Sequence, residues 1–274
     1  MTTAATQLSP DLDKAGSADG KGGTPPTPYG ACAMMVSDAD CDLDAITWSM
    51  KLASVRRYYH QRFWEDETKE AEYASRIEPD PRLESVAEHS WHVADAVLIL
   101  APRFPLIDIG RALALSVLHD KMEIKIGDWS PVGRDGTGDK THAFDTERRK
   151  SKEDAERKAI EQYLRMLSPA ASELQQPMFH ELLEGRTDEA KFVKAVDKLQ
   201  ALVYVVVKKS GRMNKNHLRF TMRYSEKVMI WPGLELHLTR MRERLFASIA
   251  DNQKKPIEEI KAWAKTEQMT LFED

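Results

Sequence analysis

Cysteine is nearly absent from the 274-residue chain, which contains only Cys32 and Cys41. Two cysteines near the start provide neither a disulfide framework nor a cysteine-rich zinc site. The sequence also lacks any run of 18 or more apolar residues, and its first residues lack the basic and apolar regions of a secretory signal. We therefore expect a cytoplasmic protein with no membrane partner.

An excess of positive charge is missing as well. The chain contains 40 Lys+Arg and 44 Asp+Glu, with a formal net charge of −4 at pH 7. This balance does not favour binding to a nucleic-acid polymer, because the phosphate backbone attracts basic proteins. The 42% hydrophobic and 31% charged residues are typical of a globular protein with a core.

The two ends of the sequence differ from its middle. Residues 1–43 are rich in Thr, Ala, Ser, Gly and Pro and have no sustained apolar period, so we predict a flexible tail there. From Asp44, apolar residues recur at helical spacing. We expect one folded domain over 44–230 and a C-terminal helical extension over 231–274 that packs on it.

Long segments after residue 84 have the apolar period of an α-helix, and no internal repeat is evident. The run Val-Tyr-Val-Val-Val at 203–207 has strand-like composition, but turn residues do not flank it, which favours a buried helix end. The predicted class is therefore all-α. The predicted helices cover about 85–101, 108–126, 145–167, 187–209, 216–229 and, with an interruption, 233–263.

Several ionisable residues lie within these apolar segments: His89, the pair His119 and Asp120, and Asp197. Metal-dependent hydrolysis needs imidazoles and carboxylates from different elements, and a further acid or base that is not a ligand. Glu123 follows His119 by one helical turn and shares its surface. Each residue alone also has a structural explanation, such as a hydrogen-bonded core histidine or an aspartate paired with a lysine.

The order and spacing of three motifs carry more information than any single residue. They are Val-x-Glu-His-Ser at 86–90, His-Asp-x-x-Glu-x-x-x-Gly-Asp at 119–128 and Glu-x-x-x-Val-Lys-x-x-Asp at 189–197. Over residues 44–225 the sequence resembles the HD-domain superfamily of metal-dependent phosphohydrolases, and within it the 5′-deoxynucleotidase family. The resemblance implies a single HD-domain helical bundle over 44–230.

The resemblance also implies roles for the matching residues. Glu123 would orient or deprotonate the attacking water, and Asp128 would help to place the substrate sugar and the scissile phosphate. One divalent ion is implied, and Co, Mn, Zn, Mg, Fe and Ni all remain open. The implied ligands of this ion are His89, His119, Asp120 and Asp197.

Substrate-binding residues are less well defined by the motifs. The family has an arginine on its first helix, and Arg56 and Arg57 both lie in that region; we favour Arg57. Trp129 follows the second motif and is interpreted either as a stacking surface for a nucleobase or as a packing residue. The loop after Asp128 contains Arg134 and Lys140 and is interpreted either as a phosphate cover or as an ordinary surface loop.

The implied function is a metal-dependent 5′-nucleotidase that removes phosphate from (deoxy)nucleoside monophosphates or related small phosphate esters. One alternative is a (deoxy)nucleoside triphosphate hydrolase, which further cations around Arg134 and Lys140 would favour. Another is a non-catalytic nucleotide-binding or regulatory protein. Relatives are often dimers, so a homodimer is expected. The chain departs from the family in its long tail, an insertion near 61–84 and the extension after residue 230.

Overall fold

The structure is a computed structural model that describes residues 36–58, 83–133 and 136–265. Within these ranges it is built of α-helices and short turns without a β-strand, which confirms the predicted all-α class. The tail up to residue 35, most of the predicted insertion, Arg134 and residues 266–274 lie outside the described ranges. The helices are α1 (Val36–Ser49), α2 (Val86–Leu100), α3 (Ile109–Leu118), α4 (Glu123–Ile126), α5 (Thr146–Leu164), α6 (Pro169–Glu184), α7 (Asp188–Lys209), α8 (Lys215–Ser225), α9 (Glu235–Gln253) and α10 (Ile257–Ala264).

The first helix begins earlier than its sequence predicts. Residues 36–43 were expected in the tail, but α1 starts at Val36, with Asp38 in its first turn, where a carboxylate favours the helix dipole. Ala45 of α1 is buried, and Ser168 donates a hydrogen bond to Asp42 at 2.6 Å. Tertiary contacts therefore stabilise a segment whose own apolar period is weak.

The core surrounds α7, which packs against α2, α3 and α9. One apolar cluster includes Val93 of α2, Leu115 of α3, Phe192 of α7 and Ile249 of α9, and burial of each such side chain stabilises the fold by about 1.5–3 kcal/mol. Ile260 of α10 belongs to the same cluster, so the C-terminal helices share the core. In the described part of the chain, no helix combines the length and the apolar character needed to cross a membrane.

Local interactions set the start of α2, which bears the first histidine. Ser85 and Glu88 form a capping box: the Glu88 backbone N–H donates to Ser85 Oγ at 3.2 Å, and the Ser85 backbone N–H donates to Glu88 Oε2 at 2.7 Å. A short antiparallel bridge joins Arg56 to Ser85. The arginine region is thereby held beside the first turn of α2.

The helix predicted over 108–126 is interrupted at the second motif. α3 ends at Leu118, and α4 begins only at Glu123. Between them the backbone makes tighter i→i+3 hydrogen bonds, from Lys121 to Leu118 and from Glu123 to Asp120. Gly127, predicted to end the helix in the left-handed conformation, has φ 72° and ψ 164°, another region that only glycine adopts readily.

A further helix, α6, lies in a segment for which the sequence predicted none. It begins at Pro169 in its first turn and ends before Gly185, which adopts the left-handed conformation. Its buried residues are few, and Pro177 inside it weakens its helical period. Packing against α3 and α5 therefore decides its conformation.

Candidate metal centre and its two cavities

Four side chains from α2, α7 and the turn after α3 converge on one point. Nε2 of His89 lies 3.1 Å from Oδ1 of Asp197 and 3.2 Å from Nε2 of His119. Oδ2 of Asp120 lies 3.2 Å from Nε2 of His119 and 3.4 Å from Nε2 of His89. Ligands about 2.0 Å from a tetrahedral metal ion are about 3.3 Å apart, so these donor atoms fit around one ion. His89, His119 and Asp197 offer ligand atoms that all lie within 4.8 Å of one another.

The two histidines are oriented by their outer ring nitrogens. Nδ1 of His89 donates to the Gln200 side-chain oxygen at 2.7 Å, and Nδ1 of His119 donates to the Ser116 carbonyl at 2.7 Å. Both bonds place the proton on Nδ1 and leave the Nε2 lone pair for the shared point. Two lone pairs facing each other at 3.2 Å need a positive charge between them. The donor set therefore fits a divalent cation.

Burial and charge at this point favour the same conclusion. His89 is fully buried, and burial followed by the charge of Arg57 lowers its pKa, so its ring is neutral as a ligand must be. Burial would raise the pKa of Asp197, but the charge of Lys198 holds it well below its usual range. Burial opposes a charge on His119, yet Asp120 and Asp197 raise its pKa. The two carboxylates thus favour a positive charge between them.

A buried network behind His89 was not predicted. Gln200, which binds His89, donates its amide to Glu84 Oε1 at 3.1 Å, and His92 Nδ1 lies 2.8 Å from the same oxygen. The other oxygen of Glu84 accepts from Arg57 at 2.7 Å. One buried carboxylate therefore connects a histidine of the metal centre with the arginine region. Gln200 lies three residues after Asp197 on α7, and this spacing could have revealed it.

Removing the hydrogen bond that His89 donates to Gln200 is expected to weaken metal binding. A Gln200→Leu variant should lose roughly 10- to 100-fold in affinity for divalent metal, because the ring of His89 loses the acceptor that orients it. Isothermal titration calorimetry with the divalent metal measures this loss of affinity. Gln253→Leu is the control, since its amide binds the Met213 carbonyl away from the centre. Equal affinity in wild type and Gln200→Leu would contradict the orienting role.

Two cavities border the metal centre, and both are lined by Asp120, Glu123 and Asp197. The first, here called the arginine cavity, has a volume of about 660 Å³ including its open mouth. The second, here called the lysine pocket, lies beside α5, α6 and α7 and has a volume of about 1650 Å³ including its open mouth. The candidate metal centre therefore has open space on two sides.

Glu123 is buried where the two cavities meet. Burial, and then the charges of Asp120 and Asp128, raise its pKa well above the usual value, although Lys152 lies 3.8 Å from its Oε1. Its Oε2 is buried and has no hydrogen-bond partner among the residues that the structure describes. A buried carboxylate with one unsatisfied oxygen, in a residue that lines both cavities beside a candidate metal centre, has the environment of a general base.

The structure places the two candidate arginines differently. Arg57 lines the arginine cavity together with Asp128 and Trp129, and it is held by Glu84. Arg56 lines a separate depression that also includes Lys140, and its guanidinium lies 3.8 Å from Glu88. Of the predicted cations around 134–140, the described Lys140 does not line either cavity beside the metal centre. Arg134 lies outside the described residues.

Asp128 and Trp129 form one wall of the arginine cavity. Oδ2 of Asp128 accepts a hydrogen bond from the Tyr58 backbone N–H at 3.2 Å, which fixes it near Arg57. The Trp129 indole N–H donates to the Ile126 carbonyl at 3.2 Å, so the ring is both held and exposed to the cavity. These residues thus present a carboxylate and an aromatic ring to the same cavity.

Comparison with known proteins agrees with this fold. The family model described as HD domain matches residues 73–235, which is more than half of the chain. A predicted metal-dependent phosphohydrolase from Magnetospirillum magnetotacticum MS-1 is similar in structure, with a TM-score of 0.57 and 22% identity over 80% of this chain and 97% of that one. A protein from Pyrococcus horikoshii OT3 has a TM-score of 0.50 and 19% identity, over 74% of this chain and 99% of that one. A search of the curated proteins finds no match.

The fold is that of an all-helical HD-domain protein, and its converging histidines and aspartates form a candidate metal centre. The chain belongs to the HD-domain family. The three motifs from which the sequence predicted this superfamily, at 86–90, 119–128 and 189–197, all lie inside the matched region. The similarity to the solved structures is at the level of the fold.

Proposed function

We propose that the chain is a divalent-metal-dependent phosphohydrolase that acts on a (deoxy)nucleoside monophosphate or a related small phosphate ester. His89, His119, Asp120 and Asp197 would hold the ion. A divalent ion in such a site supplies Lewis acidity toward phosphoryl oxygens and lowers the pKa of a bound water. The observation that carries the proposal is Oε2 of Glu123, which is buried beside these four residues and has no hydrogen-bond partner in the described part of the chain.

The remaining residues have roles that follow from their positions. Glu123 accepts the proton of the attacking water, since it borders both cavities and is not among the converging donors. Arg57 donates to phosphoryl oxygens from the arginine cavity, where Glu84 holds its guanidinium. Asp128 accepts from a hydroxyl of the organic group, and Trp129 provides a flat apolar surface for a base. The reaction consumes one water and releases an alcohol and inorganic phosphate.

The name of the Magnetospirillum protein, a predicted metal-dependent phosphohydrolase, supports the reaction class. Support for an ester with an organic group comes from the lining of the arginine cavity, which combines Arg57 and Asp128 with the aromatic side chains of Trp129 and Phe220. A non-catalytic binding protein would have no need of the unpaired Glu123 oxygen, whose burial costs free energy.

A phosphate-release assay with purified protein tests the proposal. Nucleoside 5′-monophosphates should release phosphate when Co²⁺, Mn²⁺, Zn²⁺, Mg²⁺, Fe²⁺ or Ni²⁺ is added singly, and chelation with EDTA should abolish the release. An Asp120→Ala variant is the matched control for contaminating phosphatases. Nucleotide-induced thermal stabilisation without hydrolysis under all six ions would instead indicate a silent binding protein.

A further inference from the structure

Glu84 is a buried carboxylate that contacts both functional parts of the site without lining either cavity. Its side chain is 2% exposed. Oε1 accepts from the Gln200 amide at 3.1 Å and from Nδ1 of His92 at 2.8 Å, and Oε2 accepts from Arg57 at 2.7 Å. The backbone N–H of Glu84 donates to the Tyr204 hydroxyl at 3.0 Å. Backbone and side-chain contacts therefore fix this carboxylate in one position.

The chemistry of Glu84 determines which way the amide of Gln200 points. A side-chain amide has an oxygen acceptor on one side and an NH₂ donor on the other, so it can turn either toward His89. A carboxylate paired with an arginine only accepts hydrogen bonds, so Glu84 must receive the NH₂ group. The oxygen of Gln200 is then left for Nδ1 of His89, which lies 2.7 Å away.

The orientation of this amide in turn sets the tautomer of His89. Because the Gln200 oxygen only accepts, the proton of the neutral imidazole lies on Nδ1, and Nε2 keeps its lone pair for a metal ion. A reversed amide would donate to Nδ1 and place the proton on Nε2, which removes the lone pair that a ligand needs. Glu84 acts through Gln200, since its Oε2 lies 3.9 Å from Nδ1 of His89, beyond hydrogen-bond distance.

The same carboxylate orients the proposed phosphate donor. Arg57 lines the arginine cavity, and its Nη1 donates to Oε2 of Glu84. Its backbone N–H also donates to the Glu84 carbonyl at 3.0 Å. A guanidinium has several N–H groups in a rigid plane, so an anchor at one nitrogen fixes the direction of the others. Those that do not face Glu84 remain for phosphoryl oxygens in the cavity.

We propose that Glu84 is a positioning residue that serves the metal centre and the phosphate-binding arginine together. It fixes the metal-binding tautomer of His89 through Gln200, and it aims Arg57 into the arginine cavity. The role toward Arg57 rests on the proposed function, whereas the role toward His89 requires only the metal centre.

Glu84→Gln tests this role, because glutamine has the shape of glutamate but can donate as well as accept. The amide of Gln200 can then adopt both orientations, so the affinity for divalent metal should fall about 10- to 100-fold. With each protein saturated with metal, kcat/KM for a nucleoside monophosphate should also fall about 10- to 100-fold, because Arg57 loses its fixed direction. Isothermal titration calorimetry with the metal and steady-state kinetics measure these two losses.

The tautomer of His89 distinguishes positioning from a general loss of stability. In metal-free protein labelled with ¹⁵N-histidine, the chemical shifts of the ring nitrogens at neutral pH show which nitrogen bears the proton. The His89 signals are assigned by their loss in a His89→Gln variant. Wild type should have the proton on Nδ1, and Glu84→Gln should be a mixture of both tautomers. An unchanged tautomer in Glu84→Gln overturns the role of Glu84 at the metal centre.

Glu181→Gln is the matched control. Glu181 is also a buried carboxylate, 9% exposed, and it accepts from Nε of Arg111 at 2.9 Å and from the Thr187 hydroxyl at 2.6 Å. This change likewise removes the charge opposite an arginine, but metal affinity, kcat/KM and the tautomer of His89 should remain those of wild type. If Glu181→Gln weakened metal binding as much as Glu84→Gln, stability alone would explain the effect and the inference would fail.

Two further variants test the route and guard against a failure to fold. The double variant Glu84→Gln/Gln200→Leu should bind metal as weakly as Gln200→Leu alone, and additive losses overturn the route through Gln200. Glu84→Asp keeps the charge beside the buried Arg57 and replaces Glu84→Gln if that variant does not fold. Its shorter side chain cannot contact Gln200 and Arg57 together, so metal affinity or kcat/KM should fall about tenfold or more. Wild-type values of both overturn the inference.

The measurements without turnover keep this inference separate from the proposed function. If Glu84→Gln alters the tautomer and the metal affinity but wild type hydrolyses no phosphate ester, the role at the metal centre stands and the proposed function fails. If wild type hydrolyses monophosphates and Glu84→Gln equals it in tautomer, metal affinity and kcat/KM, the function stands and the positioning role fails.

Discussion

A Glu123→Gln variant is expected to lose roughly 10²- to 10⁴-fold in kcat, equal to about 3–5 kcal/mol of transition-state stabilisation. Glutamine has the shape of glutamate and retains an oxygen acceptor, but it cannot accept the proton of the attacking water. KM and metal content should change little, because Glu123 is not among the converging donors. Steady-state kinetics with a nucleoside monophosphate measure kcat and KM, and metal analysis of the same sample measures the metal content.

The control for this variant is Glu156→Gln. Glu156 pairs with Lys152 at 3.2 Å, and Glu123 lies 3.8 Å from the same lysine. Unlike Glu123, Glu156 does not line the arginine cavity. If the effect at Glu123 came only from the release of Lys152, the two variants would lose similar activity. A Glu123→Gln enzyme with the kcat of wild type would show that another group accepts the proton, even though the fold and the metal centre were correct.

An Asp197→Ala variant is expected to bind divalent metal more than about 100-fold more weakly, since loss of an outer hydrogen bond alone costs about 10- to 100-fold. A metal concentration 100 times the wild-type Kd stabilises the wild-type fold by about 2.7 kcal/mol, but a variant with a 100-fold larger Kd by only about 0.4 kcal/mol. For a chain of this length, this difference corresponds to roughly 5–9 °C in the metal-induced shift of Tm. Thermal unfolding with and without metal measures the shift.

Asp188→Ala is the matched control on the same helix. Asp188 is exposed and pairs with Lys191 at 3.8 Å, an interaction worth about 0–1 kcal/mol. The metal-induced shift of Tm in the Asp188→Ala variant should equal that of wild type. An Asp197→Ala variant with the full wild-type shift would remove this carboxylate from the ligand set and contradict the proposed metal centre.

The convergence of the four proposed ligands could be predicted, but the local path of the chain could not. The motifs place His89, His119, Asp120 and Asp197 on three apolar segments that one core must bring together. The continuous helix expected through His119 and Asp120 was wrong, because the backbone there makes i→i+3 hydrogen bonds. Apolar period does not distinguish this tighter turn from an α-helix over so few residues.

The residues that position other site residues, rather than forming the metal centre themselves, were the hardest to predict from the sequence. Glu84 lies just before α2, and its contacts with Gln200, His92 and Arg57 span up to 116 positions of sequence. Neither its residue type nor its spacing indicates burial, since most glutamates are exposed. The choice between Arg56 and Arg57 likewise needed the structure, because adjacent residues of a turn point to different cavities.

The sequence by itself determined the all-α class, the family and the residue types available for a metal centre, because apolar period and motif spacing are local properties of the chain. Only the tertiary structure decided that the lysine pocket exists. Its cations come from α5, α7 and the turn after α8, and their side chains share a cavity only after these elements pack. Electrostatic interaction depends on distance in space rather than on distance along the chain. A sequence motif therefore does not reveal which charged side chains lie close together.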